Sequence, residues 1–386
     1  MTTLTRYRLR AADPQAVTFV ELFFDLVFVF AVTQLTVATA HDLTPEGLLR
    51  SILLGWLIWW AWTQFTWTLN PADTTHPIVR AVTLAATGVA LVMAASVPHA
   101  FSDEALLFAV PYVAVRVLGL GLQIRVGREY ADAGRSGIAT WAALSTIGLV
   151  FVLAGAVVAP SLRPWVWFLA IVADLIAASV AGRRDVWDLN PAHISERHGL
   201  FVIIALGESL IVAGTAAAGD ERSWALAGVA VASILVACLL WWTYFGFLKD
   251  ALEHRFAAAP VERLGPLARD AYSLAHFPLI GGIVGFAVAI EEIVAHPDEP
   301  ASAAVIAALG IGVSLFVACS ALSFRLLGGP ILKSRLLILV GMVLLTVVVA
   351  SLQPVWSLVV VAASLLAIVV IEGEGPDERV SELSID

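Results

Sequence analysis

The sequence predicts an all-α integral membrane protein of about twelve transmembrane helices, and three observations support that prediction. Of the 386 residues, 60% are hydrophobic and only 14% are charged, whereas a soluble domain carries about 25% charged residues. The mean hydropathy is +0.90. The charges are also clustered, and the apolar stretches between them are roughly 20 residues long, which is the length of a helix that crosses the hydrocarbon core. Because lipid offers no hydrogen-bond partners, such stretches must pair their own backbone groups, and this predicts helices.

Twelve candidate spans follow from this pattern, six in each half of the chain. They cover residues 17–40, 47–67, 78–98, 105–125, 138–158, 163–181, 199–217, 224–247, 270–292, 301–323, 335–351 and 354–371. Gln353 and Pro354 are the only break between the last two spans. A kinked or re-entrant pair therefore stays open there as an alternative to two full crossings.

The distribution of basic residues predicts that both termini are cytoplasmic. With the N-terminus inside, all but four of the 22 Lys and Arg residues lie on the cytoplasmic side or in a span end that faces it, as the positive-inside rule requires. The opposite loops carry acidic residues instead, such as Asp42, Asp103 and Asp220. A miscounted helix would invert this asymmetry for every later loop, so the charges support the count of twelve independently.

The two halves also echo each other. Trp59-Trp60 late in the second span has a counterpart in Trp241-Trp242 late in the eighth, and His76-Pro77 resembles His276-Phe277-Pro278. Six helices per half is an even number, which predicts parallel repeats. The predicted organisation begins with a cytoplasmic N-terminal tail (1–16) and a first six-helix repeat (17–182). A cytoplasmic linker (183–198) then leads to a second six-helix repeat (199–371) and an acidic cytoplasmic tail (372–386).

Polar and charged side chains inside the spans are the first group of candidate functional residues. A charge in the hydrocarbon region is costly and usually faces the protein interior or a wet cavity. The predicted intramembrane network consists of Glu21, Asp25, Gln34, Arg116, Asp174 and Glu208. Glu21 and Asp25 lie one helical turn apart on one face. Arg116 is expected to pair with Asp25, Asp174 or Glu208. The network is either an ion or proton pathway or a set of buried ion pairs between helices, and the excess of carboxylates favours the pathway.

A second group lies at the start of the seventh span and comprises His193, Glu196, Arg197 and His198. We expect it to form a cytoplasmic entrance or gate, with Glu196 and Arg197 as a cap and an ion pair. The two histidines are five residues apart, whereas zinc-binding helices place them four apart. No metal site is therefore predicted.

Other classes of function receive little support from the sequence. It contains no phosphate-binding loop, dinucleotide fingerprint or serine-nucleophile elbow, so no cofactor and no catalytic residues are predicted, and an enzyme is not expected. The net charge of −9 argues against nucleic acid. The expected partners are the lipid bilayer and a small ion or solute. Gly281 and Gly285 have a close-packing spacing that fits either contacts within the chain or a homo-oligomer.

Two stretches resemble a known family. Residues 20–31, VELFFDLVFVFA, resemble the opening signature of the bacterial low-temperature-requirement A (LtrA) family, and residues 193–201 and 204–209, HISERHGLF and IALGES, resemble its central signature. The resemblance implies a multi-pass inner-membrane protein named for a role in growth at low temperature, and it implies no particular reaction. Phe23-Phe24-Asp25 is also similar to the F-S-D motif of two-repeat, twelve-helix potassium channels, although Leu200 stands at the matching position of the second half.

These observations lead to three hypotheses. The first is a transporter or channel for a small ion or solute that uses the intramembrane carboxylate and arginine network. The second is an accessory membrane protein in cold adaptation or envelope maintenance, in which the buried charges only hold helices together. The third is a membrane enzyme acting on lipid, which would require His193, Glu196 and His198 to bind a metal.

Overall fold

The computed structural model describes residues 8–129, 132–184, 187, 189–217 and 223–373, and this part of the chain is helical. Its only β-type pairing is an isolated bridge between Arg10 and Ala72. The α-helices are α1 (Phe19–Ala40), α2 (Pro45–Leu69), α3 (Pro77–Ala95), α4 (Leu106–Gly127), α5 (Asp132–Val157), α6 (Arg163–Arg184), α7 (Pro191–Ala217), α8 (Trp224–Phe245), α9 (Leu248–Ala257), α10 (Val261–Leu267), α11 (His276–Ala295), α12 (Ala303–Leu326), α13 (Lys333–Val349) and α14 (Pro354–Gly373). The all-α prediction is confirmed for the described residues.

Each predicted span overlaps one of the twelve longer helices, α1–α8 and α11–α14. Within the described ranges, ten helical segments are long and apolar enough to cross a membrane by length and composition. The other two long helices are α2 and α13. Helix α13 has only 17 residues, and α2 is rich in Trp and Thr. The two-repeat organisation and the cytoplasmic orientation of the termini stay predictions.

Two boundaries differ from the prediction. Helix α7 begins at Pro191, so residues 191–198 are its first two turns and not a linker. Proline favours the first turn of a helix, but the polar residues that follow hide this helix start from a hydropathy count. The second difference lies after α8, where a cytoplasmic loop was expected. There the chain forms α9, α10 and a π-helical segment, Ala268–Leu274, before α11 begins at His276.

Parts of the predicted tails and linker lie outside the described residues, namely 1–7, 185, 186, 188 and 374–386. The described end of the N-terminal tail is tied to the segment after α2. The backbone N–H of Ala11 donates to Pro71 O at 3.0 Å, and that of Asp73 donates to Leu9 O at 2.7 Å.

The chain divides into two compact units. The first contains the described residues up to Phe201 together with Phe256–Ser273. In it α1 packs on α2 and α3, α4 packs on α2, α3 and α5, and α6 packs on α2 and α5. Every residue of α2 from 56 to 66 is buried. A helix enclosed by other helices needs no lipid-compatible face, which fits the absence of α2 from the segments that are long and apolar enough to cross a membrane.

The second unit contains Val202–Arg255 and the described residues from Leu274 onward. Helix α11 packs on α12, and α14 packs on α8 and α13. A buried ion pair joins α13 to α14, because Arg335 Nε donates to Glu372 Oε1 at 2.7 Å. The same guanidinium donates to the carbonyl of Thr243 at 2.8 Å. The sequence did not predict this pair, because Arg335 and Glu372 stand at the ends of their spans.

Candidate functional site

The first site residues are the two carboxylates of α1. Thr18 precedes the helix, and both its backbone N–H and its hydroxyl donate to Glu21 Oε1, at 3.0 and 2.9 Å. This cap satisfies a helix N-terminus and also holds the Glu21 side chain in place. Asp25 lies one turn further along the same face, and both side chains are fully buried.

Arg197 of α7 joins these two carboxylates. Its Nη1 donates to Glu21 Oε2 and its Nη2 donates to Asp25 Oδ1, both at 2.6 Å. The expected pairing of Arg197 with Glu196 is therefore wrong. Because α7 begins at Pro191, the guanidinium is directed toward α1, while Glu196 accepts a hydrogen bond from the backbone N–H of Val17 at 3.2 Å.

Tryptophans of α2 complete the surroundings of Asp25. Trp62 Nε1 donates to Asp25 Oδ1 at 2.7 Å, and the Arg197 guanidinium carbon lies 5.7 Å from the centre of the Trp62 ring. The His198 ring packs edge-on against Trp62 and Trp59, with centroids 5.1 and 5.8 Å apart. Asp25 Oδ2 is buried and has no hydrogen-bond partner among the described residues.

His193 is positioned between Asn70 and Glu21. The backbone N–H of Asn190 donates to Asn70 Oδ1 at 2.9 Å, and Asn70 Nδ2 donates to the carbonyl of Asn190 at 3.0 Å. These two bonds fix the orientation of the Asn70 amide beside the imidazole, with Asn70 Nδ2 3.3 Å from His193 Nδ1. On the other side of the ring, His193 Nε2 lies 2.9 Å from Glu21 Oε2.

Glu21, Asp25, His193 and Arg197 form what we call the α1–α7 cluster. Its two buried carboxylates face one permanently charged group, the Arg197 guanidinium. A buried charge without a partner is strongly disfavoured, so the second carboxylate requires one more positive charge, either a proton on a member of the cluster or a small cation.

A second cluster surrounds Arg116 in α4. Its Nη2 and Nη1 donate to the two oxygens of Asp174 in α6, at 3.0 and 3.3 Å. Nη1 also donates to Tyr112 Oη at 2.7 Å, and Nε donates to Gln64 Oε1. The amide of Gln64 in turn donates to the Arg116 carbonyl at 3.0 Å. This pair is balanced one to one, and it connects α2, α4 and α6.

The six-residue network predicted from the sequence is thus divided. Glu21 and Asp25 belong to the α1–α7 cluster, whereas Arg116 and Asp174 form their own pair. Gln34 stands thirteen residues after Glu21 on α1, which is roughly 20 Å along the helix. Gln34 is a member of neither the α1–α7 cluster nor the Arg116 pair, and Glu208 lies in the second unit.

Several residues of these clusters escaped the sequence analysis. Trp62, Gln64 and Asn70 all lie on α2 or at its end, where a tryptophan-rich run is typical of a membrane interface. Nothing in the spacing of α2 alone indicates which side chains turn toward α1, α4 or α7. Among the described residues, no group of three His, Cys, Asp or Glu side chains is arranged to hold a metal ion.

Apolar helices of this length, joined through buried ion pairs, define a multi-pass helical membrane protein. Residues 16–370 match the sequence model of the bacterial low temperature requirement A protein (LtrA). The chain belongs to this family, as the resemblance predicted. It is also 30% identical over 295 residues to an uncharacterized protein of Rhizobium meliloti (strain 1021), which covers 74% of this chain and 72% of the relative. No solved structure matches this chain.

The α1–α7 cluster is built from the two stretches that carry the family resemblance. Glu21 and Asp25 come from the opening signature, and His193 and Arg197 come from the central signature. Two motifs separated by more than 160 residues thus meet in direct hydrogen bonds.

Proposed function

We propose that the protein transports a small ion or solute across the membrane and that the α1–α7 cluster binds the proton or monovalent cation that moves or drives transport. One observation carries this proposal, namely that two buried carboxylates share one guanidinium while Asp25 Oδ2 has no hydrogen-bond partner among the described residues. A cluster that served only to join helices would be expected to balance its charges, as the Arg116–Asp174 pair does.

Occupation of the cluster would change its bonding. A proton or cation on Asp25 neutralises the carboxylate and weakens its charge-assisted bond to Arg197, which is stronger than a bond between neutral groups. Arg197 then keeps Glu21 as its ionic partner. Binding of the proton or cation therefore loosens the connection between α1 and the first turns of α7. His193, Glu196, Arg197 and His198 stand at the end of α7 that we propose is the cytoplasmic entrance.

The proposal is tested with purified protein in liposomes that contain a pH-sensitive dye. Asp25→Asn removes the charge but keeps an oxygen for Trp62 and Arg197. We expect vesicles with the wild-type protein to show a higher proton or potassium flux than empty vesicles. The flux with the variant should be at least ten-fold lower than with the wild type. Glu46→Gln is the matched control, because Glu46 is an exposed carboxylate near the start of α2. Absence of flux in wild-type vesicles, or full flux in folded Asp25→Asn, contradicts the proposal.

A structural role in an accessory membrane protein is the alternative. It is favoured by the Arg116–Asp174 and Arg335–Glu372 pairs, which are balanced and connect helices. Under this alternative Asp25→Asn lowers the folded yield, but the protein that folds supports growth in the cold as well as the wild type does. The liposome assay and a cold-growth complementation assay on the same variant therefore separate the two functions.

A further inference from the structure

A cavity lined by tryptophans lies within the first unit. It is bordered by α2, α4, α5, α6, α10 and the π-helical segment, and its volume is about 40 Å³. Four indole rings line it, those of Trp60, Trp67, Trp141 and Trp187. The space holds roughly three water molecules, or an organic molecule of about five to seven non-hydrogen atoms. None of the four members of the α1–α7 cluster lines this tryptophan cavity.

The wall of the tryptophan cavity carries polar atoms that the protein leaves without partners. Among the described residues, the cavity-lining atoms that are buried and make no hydrogen bond are Trp60 Nε1, Thr63 Oγ1, Gln123 Oε1, Trp141 Nε1 and Trp187 Nε1. The side chains of Trp60, Thr63, Gln123 and Trp141 are at least nine-tenths buried. Native proteins leave few buried polar atoms unsatisfied. Five such atoms on the residues of one cavity indicate groups that bond to something held inside it.

Other residues of the same wall are satisfied by the protein itself. Trp67 Nε1 donates to Ser273 Oγ at 2.9 Å, and both ends of the Gln64 amide bond to Arg116.

The charges of the wall define the kind of molecule that fits. Among the described residues that line the cavity there is no carboxylate, and Arg269 is the one charged residue. Its guanidinium makes two bonds to Asp270, at 2.6 and 3.0 Å. Three indole N–H donors and a guanidinium favour a ligand with acceptor oxygens, whereas a cation would find no opposite charge among these lining residues. The aromatic faces suit an apolar body.

A smaller cavity of about 10 Å³ lies beside the tryptophan cavity. It shares Trp67, Gln123 and Trp187 with it and is also lined by Pro71 and Leu189. These two residues belong to the segments that follow α2 and precede α7, at the end of the unit that the charges predict to be cytoplasmic. The tryptophan cavity therefore lies near that end of the first unit.

We propose that the tryptophan cavity binds a small organic molecule that carries a carboxylate or amide group. The oxygens of that group accept hydrogen bonds from Trp141 and Trp187, and its apolar part lies against the indole faces. Gln123 Oε1 accepts a hydrogen bond from a hydroxyl or amide N–H of the ligand. This site is distinct from the α1–α7 cluster, and binding to it does not require that the protein transports anything.

The test uses the full chain in lipid nanodiscs and ligand-observed saturation-transfer NMR, which detects the millimolar affinities expected of so small a molecule. The probes are propionate, propionamide and propylammonium, which are matched in size. We expect propionate and propionamide to bind and propylammonium to bind at least ten-fold more weakly. Trp141→Phe and Trp187→Phe keep a ring and remove the N–H, so each should weaken propionate binding about three- to ten-fold.

Two further variants locate the binding. Ala178→Leu adds volume on the cavity wall formed by α6 and should abolish propionate binding. Trp224→Phe changes a residue that is 95% exposed, and it should leave binding unchanged. Thermal midpoints show whether each variant is folded. The proposal is overturned if no probe binds folded wild-type protein, if propylammonium binds best, or if folded Ala178→Leu binds propionate normally. These outcomes are independent of the flux measured with Asp25→Asn.

Discussion

Arg116 and Arg197, two of the buried arginines of the first unit, are matched in different ways. Arg116 has one carboxylate, Asp174, with Tyr112 and Gln64 as neutral partners. Arg197 has two carboxylates, Glu21 and Asp25. Removing one member of a balanced buried pair leaves a bare charge, whereas removing both leaves none. The Arg116–Asp174 pair is therefore suited to a test of its structural contribution.

We expect Asp174→Asn to destabilise the protein by about 3–5 kcal/mol, because the Arg116 guanidinium stays buried without an opposite charge. The double variant Arg116→Met, Asp174→Leu should recover most of that loss. The measurement is unfolding in SDS followed by tryptophan fluorescence. If the double variant is as unstable as the sum of the two single variants, the pair does not act as a unit.

At the scale of the helices, close approach depends on individual glycines. A Cβ atom added to Gly282 of α11 would lie 2.5 Å from the carbonyl of Gly312 in α12, and one added to Gly312 would lie 2.8 Å from the carbonyl of Gly282. Around Gly281 and Gly310 there is open space instead. Of the two glycines with the close-packing spacing in the sequence, Gly285 lies in the contact between α11 and α12 together with Gly282 and Gly312, whereas Gly281 does not.

Adjacent glycines therefore provide a matched pair of variants. Gly282→Ala must separate α11 from α12 and should lower the thermal midpoint measurably. Gly281→Ala meets no neighbour and should be neutral or stabilising, since alanine favours a helix over glycine by about 1 kcal/mol. Thermal unfolding of both variants in the same detergent checks the order. Equal effects would show that the contact between α11 and α12 is not as close as the structure has it.

At the scale of the whole molecule, the orientation rests on the charges of the loops. The prediction places Asp42 outside and Asp73 inside, which requires α2 to cross the membrane although it is less apolar than its neighbours. Asp298 is predicted to lie outside as well. The burial of α2 within the first unit explains how a helix of its composition can occupy the interior of a bundle.

Single cysteines test this orientation. With Cys238 and Cys319 replaced by serine, Asp42→Cys and Asp298→Cys should react with a membrane-impermeant maleimide on intact cells, and Asp73→Cys should react only after lysis. Labelling of Asp42→Cys and Asp73→Cys from the same side would mean that α2 does not cross. That result would reduce the count and reverse the predicted side of every later loop.

The sequence by itself determined the class of protein and the approximate helices, because apolar length and backbone pairing in lipid are local properties. It also indicated the family, through the stretches that contain Glu21 and Arg197. It indicated that buried charges matter, but not how they pair. Its errors at residues 191–198 and after α8 have the same cause, since hydropathy does not detect helices that are polar or enclosed by protein.

Only the tertiary structure decided the pairing. Arg197 faces α1 because helix α7 starts at Pro191, and Arg116 reaches Asp174 rather than Asp25 because α4 packs beside α2 and α5. Likewise, the tryptophans that would serve as interface anchors by composition instead bond to Asp25 through Trp62 and line a cavity through Trp60. The direction in which a helix turns a side chain depends on its neighbours in space, and a linear pattern does not contain that information.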